Sequence, residues 1–349
     1  MFMNQITSLK RLTYTDNIIN RNLDDLSFTC FLGTKDYLTD LLELHCSSNL
    51  PSKFFYQLSQ MCHNLQSLTI DIKCEASNEL KELISLQNNL KDLILSDTIL
   101  DNWIGIIPCL TKHSNTLTRL HLHGNNNKKL SLLFVASFTN LQEIEFSFHY
   151  DKNFEDFEKL QYVTFPKLQI LNFPHQCPKP EYMIKFLEIN GNNLETLNIG
   201  TYRMSDALDL SIVKYCPNIK EFSKIFNNNE IDALKIIFES CQYLESIKLW
   251  CGKEWYLNEK ETLEIVAKYS QKHFYKLKIY NTINSELLPE DLESFFISWK
   301  NRPSKKLLTL IIIKCFYSNY AVSEKNMEII EKYKNLGIIK KFEVEDFRW

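Results

Sequence analysis

Residues whose side chains could bind a metal or transfer a proton cluster in the segment LTRLHLHGN. His121 and His123 are two residues apart, so on a β-strand they would share one face with Arg119. The next similar segment offers Glu143 and Glu145. Because adjacent strands lie about 4.8 Å apart, His121 would meet Glu145 across the strand pair. Such a His/Glu cluster can bind zinc or form a cross-strand charge pair on a solvated face, and we interpret it as the charge pair. We expect these five residues to lie on the concave face of the protein and to contact a protein partner there.

The sequence lacks the common catalytic signatures. It contains no Walker A loop, no G-x-G-x-x-G, no H-E-x-x-H, no G-x-S-x-G and no C-x-x-C pair. We therefore predict that the chain is not an enzyme. We expect no catalytic residues, no metal ligands and no cofactor.

A second group of polar side chains is suited to binding. Lys248 and Trp250 occupy alternate positions of one segment, and Lys276, Lys278 and Tyr280 do the same in the following segment. Trp and Tyr are frequent interface anchors, and lysines favour an acidic partner. The alternative is that the lysines only solubilise the surface and the indole packs against a loop.

An apolar group follows in the segment LLTLIII, where Thr309, Ile311 and Ile313 would share the same face. Exposed isoleucines there predict an apolar patch for a partner, or cover by the C-terminal residues.

The elements that position these side chains recur along the chain. Apolar residues at offsets 0, 3 and 5 are found in about thirteen segments, whose first residues are Leu9, Leu41, Leu65, Leu90, Leu117, Leu141, Leu168, Leu194, Ile219, Leu244, Phe274, Leu307 and Ile339. From Leu41 to Leu244 the steps are 24 to 27 residues, within the range of leucine-rich repeats. The segment IKEFSK is a degenerate member, because Lys224 takes the last apolar position.

The pattern predicts an α/β leucine-rich-repeat solenoid, or horseshoe, of about 13 repeats in a single domain, residues 1–349. The short strands would form a parallel sheet on the concave side. Helices would cover the convex side, and we expect them in these segments: SKFFYQLSQMCHN, EYMIKFLEINGNN, EIDALKIIFESCQ and DLESFFISWKNR.

Three cysteines precede the repeat at one shared position. Cys62, Cys216 and Cys241 each lie three residues before the first apolar residue, in the phrases CHNL, CPNI and CQYL. We interpret them as small apolar side chains where helix meets sheet. The phrase resembles the cysteine-containing leucine-rich repeats of F-box proteins. The resemblance implies that the repeats bind a protein target on the concave face, as the substrate-binding part of an F-box (SCF-type) ubiquitin-ligase adaptor does.

The chain departs from the F-box pattern at its start. The repeats begin at Leu9, and we identify no F-box; LPSKFFYQL resembles an F-box opening only faintly and fits a repeat helix. Skp1 and cullin are therefore expected partners only if a longer form carries an F-box. The alternatives are a free-standing scaffold, a small-molecule-sensing repeat receptor, or a GTPase activator with Arg203 as its loop arginine.

Composition restricts the partners and the compartment. The formal net charge is −3, which gives no reason to expect nucleic acid or an anionic membrane as a partner. No apolar run reaches the roughly 18 residues of a membrane span. The ten cysteines are scattered, so reduced thiols in an intracellular protein, cytoplasmic or nuclear, are expected.

Overall fold

The computed structural model describes residues 9–15, 38–97, 102–125, 132–201, 206–252, 255–281, 285, 287–304, 306–314 and 322–346. The chain divides into two compact units. The first unit comprises residues 1–168 and 176–178, and the second comprises residues 169–175 and 179–349.

Thirteen strands lie within the described residues, six in the first unit and seven in the second. Those of the first unit are Arg11–Tyr14 (β1), Glu43–Ser47 (β2), Ser67–Ile72 (β3), Asp92–Asp97 (β4), Arg119–Gly124 (β5) and Glu143–Phe148 (β6). Those of the second are Ile170–Phe173 (β7), Thr196–Ile199 (β8), Glu221–Lys224 (β9), Ser246–Cys251 (β10), Lys276–Asn281 (β11), Leu308–Lys314 (β12) and Ile339–Asp346 (β13). Within each unit, every strand pairs in parallel with the next strand along the chain.

The strand register follows the predicted repeat. The residues at offset 3 in four successive segments, Leu68, Leu93, Leu120 and Ile144, are register partners on β3 to β6. All four are buried. In-register residues of neighbouring strands point to the same face of a sheet, so the four side chains lie together on its buried side. The prediction of an α/β fold with short parallel strands is therefore confirmed, whereas the curvature of a horseshoe and the single solenoid domain stay predictions.

The first residue of the pattern anchors most segments. In the ten segments from Leu41 to Phe274 it is at most 1% exposed. Leu307 departs from this rule, since it is 44% exposed and its neighbour Leu308 is fully buried. The register of β12 against β13 shifts between Leu308 and Thr309. We attribute the one-residue displacement of the buried position to this irregularity.

The connections between strands contain helices. The α-helices of the first unit are Ser52–Ser59 (α1), Asn78–Ser85 (α2), Ile107–Leu110 (α3) and Phe157–Leu160 (α4). Those of the second are Pro180–Asn190 (α5), Asp206–Tyr215 (α6), Ile231–Ser240 (α7), Glu259–Tyr269 (α8), Pro289–Lys300 (α9) and Glu324–Asn335 (α10). Short 3₁₀ helices span Asn102–Ile106, Thr111–His113, Leu133–Ser137, Asp151–Phe154 and Gly191–Asn193. Helices α1, α5, α7 and α9 confirm the four predicted helical segments.

Local sequence explains where several helices begin. The side chains of Ser77, Asn258 and Ser323 accept a hydrogen bond from a backbone N–H of the first turn of α2, α8 and α10. Helices α5 and α9 begin with a proline, whose missing N–H costs nothing at that position.

The second unit contains a buried ionic cluster where the repeat pattern calls for an apolar residue. Lys224, at the end of β9, is fully buried. Its Nζ atom lies 2.7 Å from each carboxylate oxygen of Asp209 on α6 and 3.6 Å from Oε2 of Glu230, and it lies 4.5 Å from the ring centroid of Phe226. The side chain of Lys224 therefore points into the interior, like the apolar residues at this position in other repeats. The carboxylates of Asp209 and Glu230 compensate its charge.

Within the described part of the chain, no helix combines the length and the apolar character needed to cross a membrane.

Candidate functional site: the open face of the sheet

The strands present a partly exposed face opposite their buried side. On β3, for example, Leu68, Ile70 and Ile72 are buried, whereas Ser67, Thr69 and Asp71 alternate with them and are partly exposed. We call the face made by these alternating residues the open face. It is the face on which the binding residues were predicted.

The open face of the first unit holds the predicted His/Glu cluster. Arg119, His121 and His123 alternate on β5, and Glu143 and Glu145 alternate on β6. In the register His121 is directly opposite Glu145, as expected. Its closest carboxylate is nevertheless diagonal, because His121 Nε2 lies 2.7 Å from Oε1 of Glu143. His123 Nε2 lies 3.2 Å from Oε1 of Glu145. The expected pairing of His121 with Glu145 is thus replaced by two diagonal pairs.

Arg119 is oriented away from this cluster. Its Nε and Nη2 atoms donate to the two carboxylate oxygens of Asp92 on β4, at 2.7 and 2.5 Å. The two-pronged hydrogen bond raises the pKa of Arg119. Asp92 was not among the predicted site residues. It occupies the same position in its segment as Arg119 does in the next one, and this correspondence could have identified it from the sequence.

Ion pairs recur along the open face of the first unit. Arg11 on β1 donates from Nε to Oε2 of Glu43 on β2 at 2.5 Å. His45 on β2 places Nε2 3.1 Å from Oδ2 of Asp71 on β3. Basic and acidic side chains therefore meet across neighbouring strands, as favourable cross-strand pairs do.

The second unit carries the predicted basic and aromatic group. The register places Lys248 opposite Lys278, and Trp250 opposite Tyr280. The aromatic rings meet edge to face at 6.2 Å, and Lys248 Nζ lies 4.7 Å from the ring centroid of Trp250. Burial lowers the pKa of Lys248, and the nearby charge of Lys278 lowers it further.

Trp250 and Lys276 are less available for contact with a partner than the sequence suggested. Trp250 is only 7% exposed, so its indole supports Tyr280 and Lys248 and offers little contact area. Lys276 Nζ lies 3.1 Å from Oε1 of Glu221, two strands away. The partly exposed members of the group are therefore Lys248, Lys276, Lys278 and Tyr280.

The isoleucines of β12 do not form an exposed patch. Ile311 and Ile313 are each 5% exposed, although the register places them beside Lys278 and Tyr280 of the open face. Of the two predictions for this segment, the apolar docking patch is wrong, and the isoleucines are covered.

The three repeat cysteines occupy interior positions, as expected. Cys62, Cys216 and Cys241 are buried, and the Sγ atom of Cys62 donates to the carbonyl of Leu38 at 3.0 Å. Burial raises the pKa of Cys62 to about 12 and that of Cys241 to about 11. These thiols are therefore protonated at neutral pH and are poor nucleophiles and metal ligands.

A groove on the helical side was not predicted from the sequence. It lies between α8 and α9, and its lining includes Lys260, Glu264, Asp291, Ser270 and Arg302. The guanidinium of Arg302 is buried against the ring of Trp299 at 3.7 Å and donates to Ser270 Oγ and to the carbonyl of Phe274. Burial lowers its pKa to about 10. Arg302 lies just after the end of α9, at a position that the repeat pattern does not specify. The sequence therefore offered no reason to single it out.

Arg203, the arginine considered for a GTPase activator, lies outside the described residues.

No protein-family model matches this sequence, and no curated protein matches it.

Proposed function

We propose that this chain is a non-enzymatic protein-recognition module that binds its partner on the open face of the sheet. Support comes from the rows of partly exposed charged side chains, which rigid strands hold at a spacing of about 4.8 Å. A row of charged residues matches an extended protein segment better than a small molecule, since small-molecule sites are mostly apolar.

The observation that carries the proposal is the position of two lysines. Lys248 and Lys278 are direct register partners on β10 and β11. Like charges directly opposite each other are unfavourable in a sheet. The charge of Glu345 on β13 acts on Lys248 in the opposite direction to that of Lys278. An acidic side chain of a partner beside both ammonium groups would add to this compensation, and the ring of Tyr280 next to them adds apolar contact. The partner is accordingly a protein segment with an acidic residue.

A charge-reversal experiment tests this proposal. Proteins captured from a cell lysate by the wild-type chain would be compared with those captured by Lys278→Glu and by Lys300→Glu. Lys300 is an exposed lysine at the end of α9 and serves as the matched control. We expect Lys278→Glu to lose the proteins with acidic segments and Lys300→Glu to retain them, because a reversed charge opposes an acidic partner by several kcal/mol. Equal recovery by both variants contradicts the proposal.

The finer form of the proposal follows from the resemblance of the repeats to F-box proteins. In that form the open face is the substrate-binding region of an SCF-type ubiquitin-ligase adaptor. Affinity purification with any longer form of the protein would then recover Skp1 and cullin. Failure to recover them with a form that carries further N-terminal residues leaves the general recognition role and rejects the ligase role.

A further inference from the structure

The His/Glu cluster of the open face has the geometry of a metal site. His121 and His123 project from β5 on the same side, with their rings stacked at 6.3 Å and an interplanar angle of 15°. Glu145 reaches toward them from β6. One ligand atom from each of the three residues lies within 4.8 Å of the other two. Imidazole nitrogen and carboxylate oxygen are both common zinc ligands.

One of the donor separations is already that found around a bound zinc ion. With metal–ligand bonds of about 2.0–2.1 Å and tetrahedral angles, two ligand atoms lie about 3.3 Å apart. His123 Nε2 and Glu145 Oε1 are already 3.2 Å apart. The three donors lie on neighbouring strands of one unit and within 4.8 Å of one another, so a shift of His121 toward the other two would bring them around one ion.

The surroundings of His123 point to a ligand. Its Nε2 atom is buried and, among the described residues, has no hydrogen-bond partner. The nearby oxygen of Glu145 is at hydrogen-bonding distance but lies off the direction in which the ring nitrogen points. An off-axis oxygen is what a shared ion requires, since the lone pair of the nitrogen points at the metal and not at the other ligand.

We propose that His121, His123 and Glu145 form a zinc site on the open face of the sheet. Three protein ligands leave at least one coordination position for water or for a group of another molecule. Glu143, whose Oε1 atom lies 2.7 Å from His121 Nε2, places a further carboxylate beside the ion. The site links β5 to β6, and it exists independently of the protein partner proposed above.

The test is calorimetric titration of the metal-free chain with Zn²⁺, together with the visible absorption spectrum of the Co²⁺-loaded chain. We expect one Zn²⁺ per chain and a Co²⁺ spectrum of low coordination number. His123→Asn and Glu145→Gln each remove one ligand and should weaken binding by more than about tenfold, since even indirect supports of a ligand are worth about 10–100-fold.

The matched control is His45→Asn. His45 is also paired with a carboxylate on the open face, at 3.1 Å from Asp71. A zinc affinity unchanged in His45→Asn and lost in His123→Asn supports the site. The proposal is overturned if the wild-type chain shows no saturable binding, or if His45→Asn and His123→Asn weaken it equally. Circular dichroism of each variant verifies that it is folded.

Discussion

The Nζ atom of Lys224 lies 2.7 Å from both carboxylate oxygens of Asp209, inside the second unit. Burial raises the pKa of Asp209, and the charge of Lys224 opposes that rise. Glu230, whose Oε2 atom also accepts a hydrogen bond from the backbone N–H of Asn227, completes the cluster at 3.6 Å. Other repeats have an apolar residue at this strand position. Here the burial of a lysine depends on Asp209 in the preceding helix, α6, and on Glu230 in the loop that follows.

Replacing this lysine by the apolar residue typical of the repeat is expected to destabilise the protein. Lys224→Leu leaves two buried acids without their cation, and loss of one partner of a buried ion pair costs about 3–5 kcal/mol. Lys224→Leu combined with Asp209→Leu should recover part of that loss. Urea unfolding monitored by circular dichroism measures both. Lys220→Leu removes an exposed ion pair to Glu195 and should change stability by less than about 1 kcal/mol.

The buried imidazole of His113 predicts a pH dependence. Burial lowers its pKa, and the ring donates from Nε2 to the carbonyl of Ile84 at 2.9 Å. A group with a lowered folded-state pKa contributes stability that is complete above its unfolded pKa, about 6.5, and is lost as the pH falls through the folded value. The wild-type chain should therefore lose more stability on acidification than His113→Gln does.

The measurement for His113 is the free energy of unfolding of both proteins at several pH values. Gln supplies a side-chain N–H for the same carbonyl but does not titrate, so subtraction removes the contributions of the other histidines. A stability difference between the two proteins that stays constant from neutral to acidic pH would be inconsistent with this role.

Arg302 should not be replaceable by lysine. Its planar guanidinium stacks on Trp299 while it donates to Ser270 Oγ at 2.9 Å and to the carbonyl of Phe274 at 3.2 Å. A lysine ammonium cannot make this combination of contacts, so a buried acceptor loses its donor. We expect Arg302→Lys to lower the free energy of unfolding by about 1–3 kcal/mol. Arg11→Lys, at an exposed ion pair, should change it by no more than about 0.5 kcal/mol.

The cysteines should differ in reactivity according to burial. Cys62, Cys216 and Cys241 are buried, whereas Cys74 and Cys109 are partly exposed. Alkylation at mildly alkaline pH, followed by peptide mapping, should modify Cys74 and Cys109 first, because buried thiols are inaccessible and their raised pKa disfavours the thiolate. In denaturant all five should react at similar rates. Rapid native labelling of Cys62 would show that its position in the interior is wrong.

The periodic part of the architecture was readable from the residues. Offsets of 0, 3 and 5 placed Leu65, Leu90 and Leu117 just before strands, and each is buried two residues ahead of the strand that follows it. Alternation also assigned His121, His123 and Lys278 to the partly exposed face. Both predictions succeed because the anchor residue and the two-residue strand period are local properties of the chain.

The tertiary structure decided which partner each side chain meets. His121 is directly opposite Glu145 in the register but bonds the diagonal Glu143, because side-chain length and rotamer direction act beyond the backbone ladder. Trp250 and Ile311 belong to the open face by alternation, yet both are buried, since neighbouring side chains and not strand position determine exposure. Lys224 breaks the apolar pattern and still lies inside, because Asp209 compensates its charge.

The sequence by itself therefore determined the repeat, its short strands and the face on which each residue lies. Local periodicity and burial suffice for those assignments. Only the tertiary structure decided the ion pairs, the covered apolar residues and the approach of His121, His123 and Glu145 to one another at β5 and β6. Each of these depends on contacts between residues on different strands or helices. Local periodicity does not specify the side-chain directions that make such contacts.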